Sequence, residues 1–189
     1  MEVAEAAKLI QDAVVERAGS WADLGAGEGT FTRALAGLLG AEGRLYAIDR
    51  DPAAMRALSR WADRQNAADA SAEAEVIPVA GDFLELDAIP ALEGVTVDGV
   101  LLANALHFAA EPARLLTGIA RLVRPGGRLV VVEYDRRPAS RWVPYPVSQE
   151  RLRELLPAAG FTAPAVVGTR PSLYSGMLYA AVALRSGET

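Results

Sequence analysis

Trp21-Ala22-Asp23-Leu24-Gly25-Ala26-Gly27-Glu28-Gly29-Thr30-Phe31 carries an apolar strand end into a glycine-rich turn, with one acid before it and another inside it. Glycine takes positive φ and lets a ligand lie against the main chain, so Gly25, Gly27 and Gly29 suit a tight strand-to-helix turn around a bound group. Charge separates the candidate ligands. The start of the following helix attracts a pyrophosphate, but Asp23 and Glu28 repel one. The third glycine of the dinucleotide fingerprint would fall at Thr30 and is missing. A ligand with positive charge fits better. S-adenosylmethionine carries a sulfonium, an ammonium and a carboxylate with no phosphate, so an acid can hold the ammonium while loop amides face the carboxylate. A turn that merely caps a helix is the plain structural alternative.

Outward from this turn, strand and helix signals alternate. Before it, residues 3–17 place Val3, Ala7, Ile10 and Val14 on one helical stripe, preceding a short strand at 20–24. After it come a helix at 30–39 ended by Gly40, a strand at 44–48, and a helix at 52–64 with Asp51 as N-cap and Pro52 at its first position. A polar connection at 66–74 leads to strands at 75–79 and 95–103. A helix at 112–123, stopped by Pro125-Gly126-Gly127, precedes a strand at 128–134. Ser148 caps a last helix at 148–159 that Gly160 terminates; strands at 165–169 and 177–184 have no helix between them and should pair as a hairpin.

This alternation predicts an α/β fold: one Rossmann-like domain with a mainly parallel sheet and helices on both faces. Val100-Leu101-Leu102 and Leu129-Val130-Val131-Val132 read as strands covered on both sides. The whole of 1–189 forms the domain, with an N-terminal helix in 1–18, a cofactor-binding core at 20–134, a candidate lid loop at 135–147 and a C-terminal helix and hairpin at 148–185.

Composition narrows the function. At 189 residues and 51% hydrophobic, the chain has the material for one substantial core. A net charge of −5 argues against a broad nucleic-acid-binding face. The absence of cysteine excludes disulfides, thiolate metal sites and cysteine nucleophiles, and with a single histidine no metal site is expected. There is no basic leader and no apolar run of membrane-spanning length, so the expectation is a cytoplasmic protein with no membrane partner.

In open parallel sheets, ligands bind beyond the carboxyl ends of the strands. Asp49 ends the second strand at a spacing that suits a carboxylate accepting both ribose hydroxyls. Asp82, in Gly81-Asp82-Phe83, can accept from an adenine amino group while Phe83 supplies an apolar wall. Ala26 and Arg50, beside Gly25, Gly27 and Asp49, are counted with these cofactor contacts. Asn104-Ala105-Leu106-His107-Phe108 follows the fourth strand, which places Asn104 near the methionine end and His107 near the transferable methyl, as general base or substrate orienter. Tyr134 and Asp135 end the fifth strand beside the same pocket; Tyr134 is the second candidate catalytic residue, and Glu133 is a further group that could help a hydroxyl or carbon-acid acceptor lose its proton. Each position also has an ordinary reading, as helix cap, turn acid, lining histidine or strand-end polar residue.

Together these residues resemble the class I S-adenosylmethionine-dependent methyltransferases, particularly the small-molecule branch that includes ubiquinone/menaquinone biosynthesis methyltransferases. The resemblance runs from about Ser20 to Tyr134. Asp23-Leu24-Gly25-Ala26-Gly27 matches the glycine loop, Asp49 the ribose acid, Asp82 the adenine acid and Arg124-Pro125-Gly126-Gly127 the turn before the fifth strand. It implies a seven-stranded sheet with an antiparallel last strand, S-adenosyl-L-methionine as cofactor, S-adenosyl-L-homocysteine as product, and in-line transfer of methyl to a small-molecule acceptor. The Asn-Pro-Pro-Tyr-type motif of DNA amino-methylating enzymes is replaced by Ala103-Asn104-Ala105-Leu106. Without cysteine, cytosine C5 methylation and thiol-dependent arsenic methylation are excluded. A methyltransferase acting on protein or RNA, and a nucleotide-cofactor-binding protein, remain the alternatives. Residues 136–145 combine arginines with Trp142 and Tyr145, and read as a lid over an aromatic or anionic molecule, a patch for RNA or a protein tail, or a solvated connection.

Overall fold

A computed structural model describes residues 1–67, 72–172 and 176–187. Seven strands, β1 (Gly19–Leu24), β2 (Gly43–Asp49), β3 (Glu75–Ala80), β4 (Val97–Ala103), β5 (Val123–Asp135), β6 (Ala165–Pro171) and β7 (Met177–Leu184), form one sheet in the order β3-β2-β1-β4-β5-β7-β6. The first five run parallel, and β7 is antiparallel to both β5 and β6. This is the expected α/β architecture. Helices α1 (Val3–Ile10), α2 (Thr30–Leu39) and α3 (Pro52–Asn66) share one apolar layer with Trp21, Leu101 and Val130. On the opposite face α4 (Pro112–Leu122) and α5 (Gln149–Ala158) pack over Val100, Leu129 and Val131. Strand direction of travel reverses between β1 and β4, which opens a crevice above their carboxyl ends.

Several boundaries differ from the sequence expectation. The helix expected over 3–17 ends at Ile10 and tightens into a 3₁₀ turn at Gln11–Ala13, because the β-branched pair Val14-Val15 disfavours continuation and the chain must turn into β1. Ala13 and Val14 are buried nonetheless, so the apolar stripe outlasts the helix. Helix α4 stops at Leu122, and Val123 already pairs with Val97. Pro125-Gly126-Gly127 therefore forms an irregularity inside β5, where the register jumps from Val97↔Val123 to Gly99↔Arg128. It is tied to the end of the hairpin by Gly126 N–H donating to the Arg185 carbonyl (2.9 Å) and Arg185 N–H to that of Gly127 (2.8 Å). Residues 83–92, where no element was expected, fold as short 3₁₀ turns over Phe83–Ala88, broken by a kink at Glu85, and over Pro90–Leu92. Part of the connection expected at 66–74 lies outside the described residues. No helix among them is long and apolar enough to cross a membrane.

Candidate functional site

The glycine turn leaves β1 with Gly25 at φ +83°, and a Cβ there would meet the Ala105 methyl at 2.9 Å and the Phe83 ring at 3.2 Å. Only glycine lets the loop lie this close to the segments following β3 and β4. The loop amides do not form the expected open cradle. Gly25 and Ala26 N–H both donate to the Ile48 carbonyl (2.9 Å each), and Gly27 N–H donates to Asp49 Oδ2 (2.8 Å). These bonds lock the turn onto the end of β2. Thr30 and Phe31, in the first turn of α2 where backbone N–H groups have no intrahelical partner, line a cavity of about 250 Å³.

The three strand-end acids occupy different depths. Asp23 is 1% exposed, below the turn, where its carboxylate accepts a 2.6 Å bond from the Thr32 hydroxyl. Burial pushes its pKa from 3.8 up to about 7; the Thr32 bond opposes that rise, and the charge on Asp49 adds to it. Asp49 is half-buried, with Oδ1 accepting from Asp51 N–H (2.8 Å). Asp82 caps the 3₁₀ turn through Leu84 N–H (3.0 Å) and pairs with the exposed Arg50 guanidinium at 2.8 Å. Asp49, Arg50, Asp82, Phe83, Gly25 and Asn104 share a cleft of about 200 Å³ above β1 to β4. Asp23 lies beneath this group and reaches it through charge.

Asn104 holds the centre of the arrangement. It takes φ +53°, which asparagine tolerates better than most residues, and its N–H donates to the Val132 carbonyl (2.8 Å). Its Oδ1 is buried with no hydrogen-bond partner. Asn104 lines the cleft just described, the cavity at the start of α2, and a third cavity of about 510 Å³. The left-handed turn at this position, invisible in the sequence, aims one side chain at all three.

The third cavity contains His107, Phe108, Tyr134, Arg137 and Trp142. His107 is 3% exposed, and its Nδ1 sits 2.8 Å from Glu133 Oε2 and 3.0 Å from Oε1. Glu133 is fully buried on β5 and also accepts the His107 N–H (3.1 Å). A carboxylate already taking a backbone donor favours the tautomer in which Nδ1 carries the hydrogen, leaving the lone pair on Nε2. Sequence reasoning named Glu133 beside Tyr134 but did not pair it with His107. The available signal was strand alternation, which puts a charged residue on the same core face as Leu129 and Val131. Tyr134 forms a wall 6.3 Å from the His107 ring, with the Arg137 guanidinium 4.4 Å from its own ring centre.

The segment after β5 closes this cavity on one side. Ser140 and Val143 exchange backbone hydrogen bonds (3.0 and 3.1 Å), making a self-contained turn. Tyr145 N–H donates to the His107 carbonyl (3.0 Å), while Asp135 accepts from the backbone and side chain of Gln149 (3.2 Å each). Trp142, 66% exposed, projects from that turn. Among the described residues no group of three or more His, Cys, Asp or Glu is placed to hold a metal ion.

Comparison with known proteins agrees with this geometry. The family described as "Methyltransferase domain" matches residues 22–131. An uncharacterized methyltransferase of Mycobacterium bovis is 44% identical over 52 residues, which is 28% of this chain and 21% of that protein, so the match spans about a fifth of the relative's length. The 1,6-didemethyltoxoflavin-N1-methyltransferase of Burkholderia thailandensis, solved with 1,6-didemethyltoxoflavin and S-adenosylhomocysteine, superposes with a TM-score of 0.71 at 25% identity, covering 98% of this chain and 78% of that one. An arsenic(III) S-adenosylmethionine methyltransferase of Chlamydomonas reinhardtii shares the fold at a TM-score of 0.74 and 20% identity, covering 98% and 73%.

Proposed function

The chain belongs to the methyltransferase-domain family, a class I S-adenosylmethionine-dependent fold, and from that premise we propose that it methylates a small-molecule acceptor held in the His107 cavity. Its cofactor is S-adenosylmethionine, and S-adenosylhomocysteine is the product left in the cleft. The residues present suit that group. Asp49 offers carboxylate lone pairs to the ribose hydroxyls, and Asp82 with the Phe83 ring suits the adenine. The orphaned Asn104 Oδ1 is an acceptor for the ammonium, and the N–H groups opening α2 suit the carboxylate. Above about pH 7, where it ionises, Asp23 adds negative charge from below.

When bound, the cofactor supplies a methyl carbon already activated by a sulfonium leaving group. The chain's part is to align the nucleophile, exclude water and take up a proton. Tyr134 and Phe108 wall the acceptor cavity, and His107, fixed by Glu133, presents Nε2 as general base. The carrying observation is that Asn104 lines both the acidic cleft and the His107 cavity, which supports a donor on one side and a base on the other. The family resemblance to a toxoflavin-precursor methyltransferase supports a small acceptor.

Calorimetry with S-adenosylhomocysteine tests the donor half. Binding is expected, NADH should not bind, and Asp49→Ala should weaken S-adenosylhomocysteine by about tenfold, the equivalent of one charge-assisted hydrogen bond. Unchanged affinity in that variant would remove Asp49 from the site.

A further inference from the structure

The His107 cavity also defines its occupant. We propose that the acceptor is a planar aromatic hydroxy compound, methylated on oxygen; the inference rests on the methyl-donor reading above. Phe108 and Trp142 are 42% and 66% exposed, and with Tyr134 they are three aromatic side chains lining one space, with guanidinium groups of Arg137 and Arg141 stacked 4.4 Å from the Tyr134 and Trp142 rings. Large apolar rings left in water around a concavity mark the place where another apolar surface is buried, and a flat ring is the shape that gains stacking on each of them.

Two polar side chains line the cavity: His107, whose Nδ1 is held by Glu133 so that Nε2 is the ring nitrogen left for an acceptor, and Arg137, whose guanidinium lies 4.4 Å from the Tyr134 ring. This arrangement selects the reacting group by acidity. A phenolic hydroxyl is far more acidic than an aliphatic one, so it gives up its proton to a positioned base more readily as the new bond forms. Negative charge growing on the aryl oxygen meets the Arg137 cation in a cavity with little polar competition.

The step balances as follows. The phenolic proton passes to His107 Nε2, an oxygen lone pair forms the bond to the methyl carbon, and the carbon–sulfur bond breaks with its electron pair remaining on sulfur. The products are an aryl methyl ether, S-adenosylhomocysteine and an imidazolium whose charge Glu133 offsets; the proton then leaves to solvent.

The test uses 2-naphthol, with decahydro-2-naphthol and 2-naphthylamine as size-matched controls. Binding to the protein saturated with S-adenosylhomocysteine is measured by calorimetry, and product formed with S-adenosylmethionine by mass spectrometry. We expect 2-naphthol to bind and yield 2-methoxynaphthalene, with decahydro-2-naphthol unreacted and 2-naphthylamine slower. Trp142→Ala alters an exposed side chain that lines the His107 cavity and not the cofactor cleft, and should raise the KM for 2-naphthol about tenfold with S-adenosylhomocysteine affinity unchanged. His107→Gln should lower kcat by about 10²- to 10⁴-fold, with cofactor affinity serving as the check on folding. Preferred methylation of the amine or the aliphatic alcohol would overturn the proposal, as would failure of 2-naphthol to bind a complex that does hold S-adenosylhomocysteine. Failure to bind S-adenosylhomocysteine itself would instead bring down the donor reading.

Discussion

Asp23 illustrates what a single buried carboxylate does to the molecule. With 1% exposure and one strong donor in Thr32, it holds its proton up to about pH 7, whereas in the unfolded chain it ionises at 3.8. Between those values the folded state binds more protons than the unfolded one. Stability from this residue is therefore fully present below pH 3.8, declines as pH rises, and is lost above about pH 7. Asp23→Asn, which cannot ionise, should gain on the parent chain across that window and hold a constant advantage above it; urea unfolding at a series of pH values gives the comparison. Above about pH 7 the same substitution should weaken S-adenosylhomocysteine, since it removes negative charge beneath the ligand. A flat stability difference from pH 4 to 8 would mean that Asp23 does not titrate there. The charge of Asp23 was readable from its place before the glycines, but its depth was not, because depth depends on which face of β1 the helix starting at Thr30 covers. Glu133 was harder still. Its role needs β4 and β5 side by side, and no local pattern states that His107, twenty-six residues earlier, folds back onto it.

Strands and helices were legible where one period dominated. The β1, α2, β2 and α3 segments fall within a residue or two of their expected ends, because Gly40, Asp51 and Pro52 punctuate them. The Asp51 carboxylate accepts from Ala53 N–H (2.7 Å) and Ala54 N–H (3.4 Å), the cap its sequence position implied. Legibility failed where tertiary pairing overrode local signals, as at Pro125-Gly126-Gly127, which reads as a terminator and is instead absorbed into β5 by bonds to the distant Arg185. A second such feature is the pairing of Trp21 on β1 with Gly99 on β4. The indole lies across the glycine, and a Cβ there would come within 2.5 to 2.6 Å of ring atoms. Gly99→Ala should thus cost about 1–3 kcal/mol by overpacking, seen as a lowered denaturant midpoint at constant slope. Trp21→Leu in the same background should recover part of it.

At the scale of the whole chain, alternating elements and two late strands pointed to a mainly parallel sheet with an antiparallel last strand, which the fold has, while the order β3-β2-β1-β4-β5-β7-β6 depends on crossovers that no local pattern states. What could not be read is how the carboxyl edge divides into three connected spaces around Asn104. A ligand that binds only the native state raises its stability, by about 2.7 kcal/mol at a hundredfold excess over Kd. For a domain of this size S-adenosylhomocysteine should therefore raise Tm by roughly 5–10 °C, while NADH at equal concentration should leave it unchanged. A thermal shift with NADH alone would reverse the cofactor assignment. The wall of the acceptor cavity is built on another principle than its floor. The floor is His107 and Glu133, anchored in the sheet, whereas Trp142 rides on a turn closed by its own two backbone bonds between Ser140 and Val143. Exposed Trp142 can thus be exchanged for side chains of other shape, while buried Val143 and the two bonds that close the turn keep the backbone in place above His107 and Glu133.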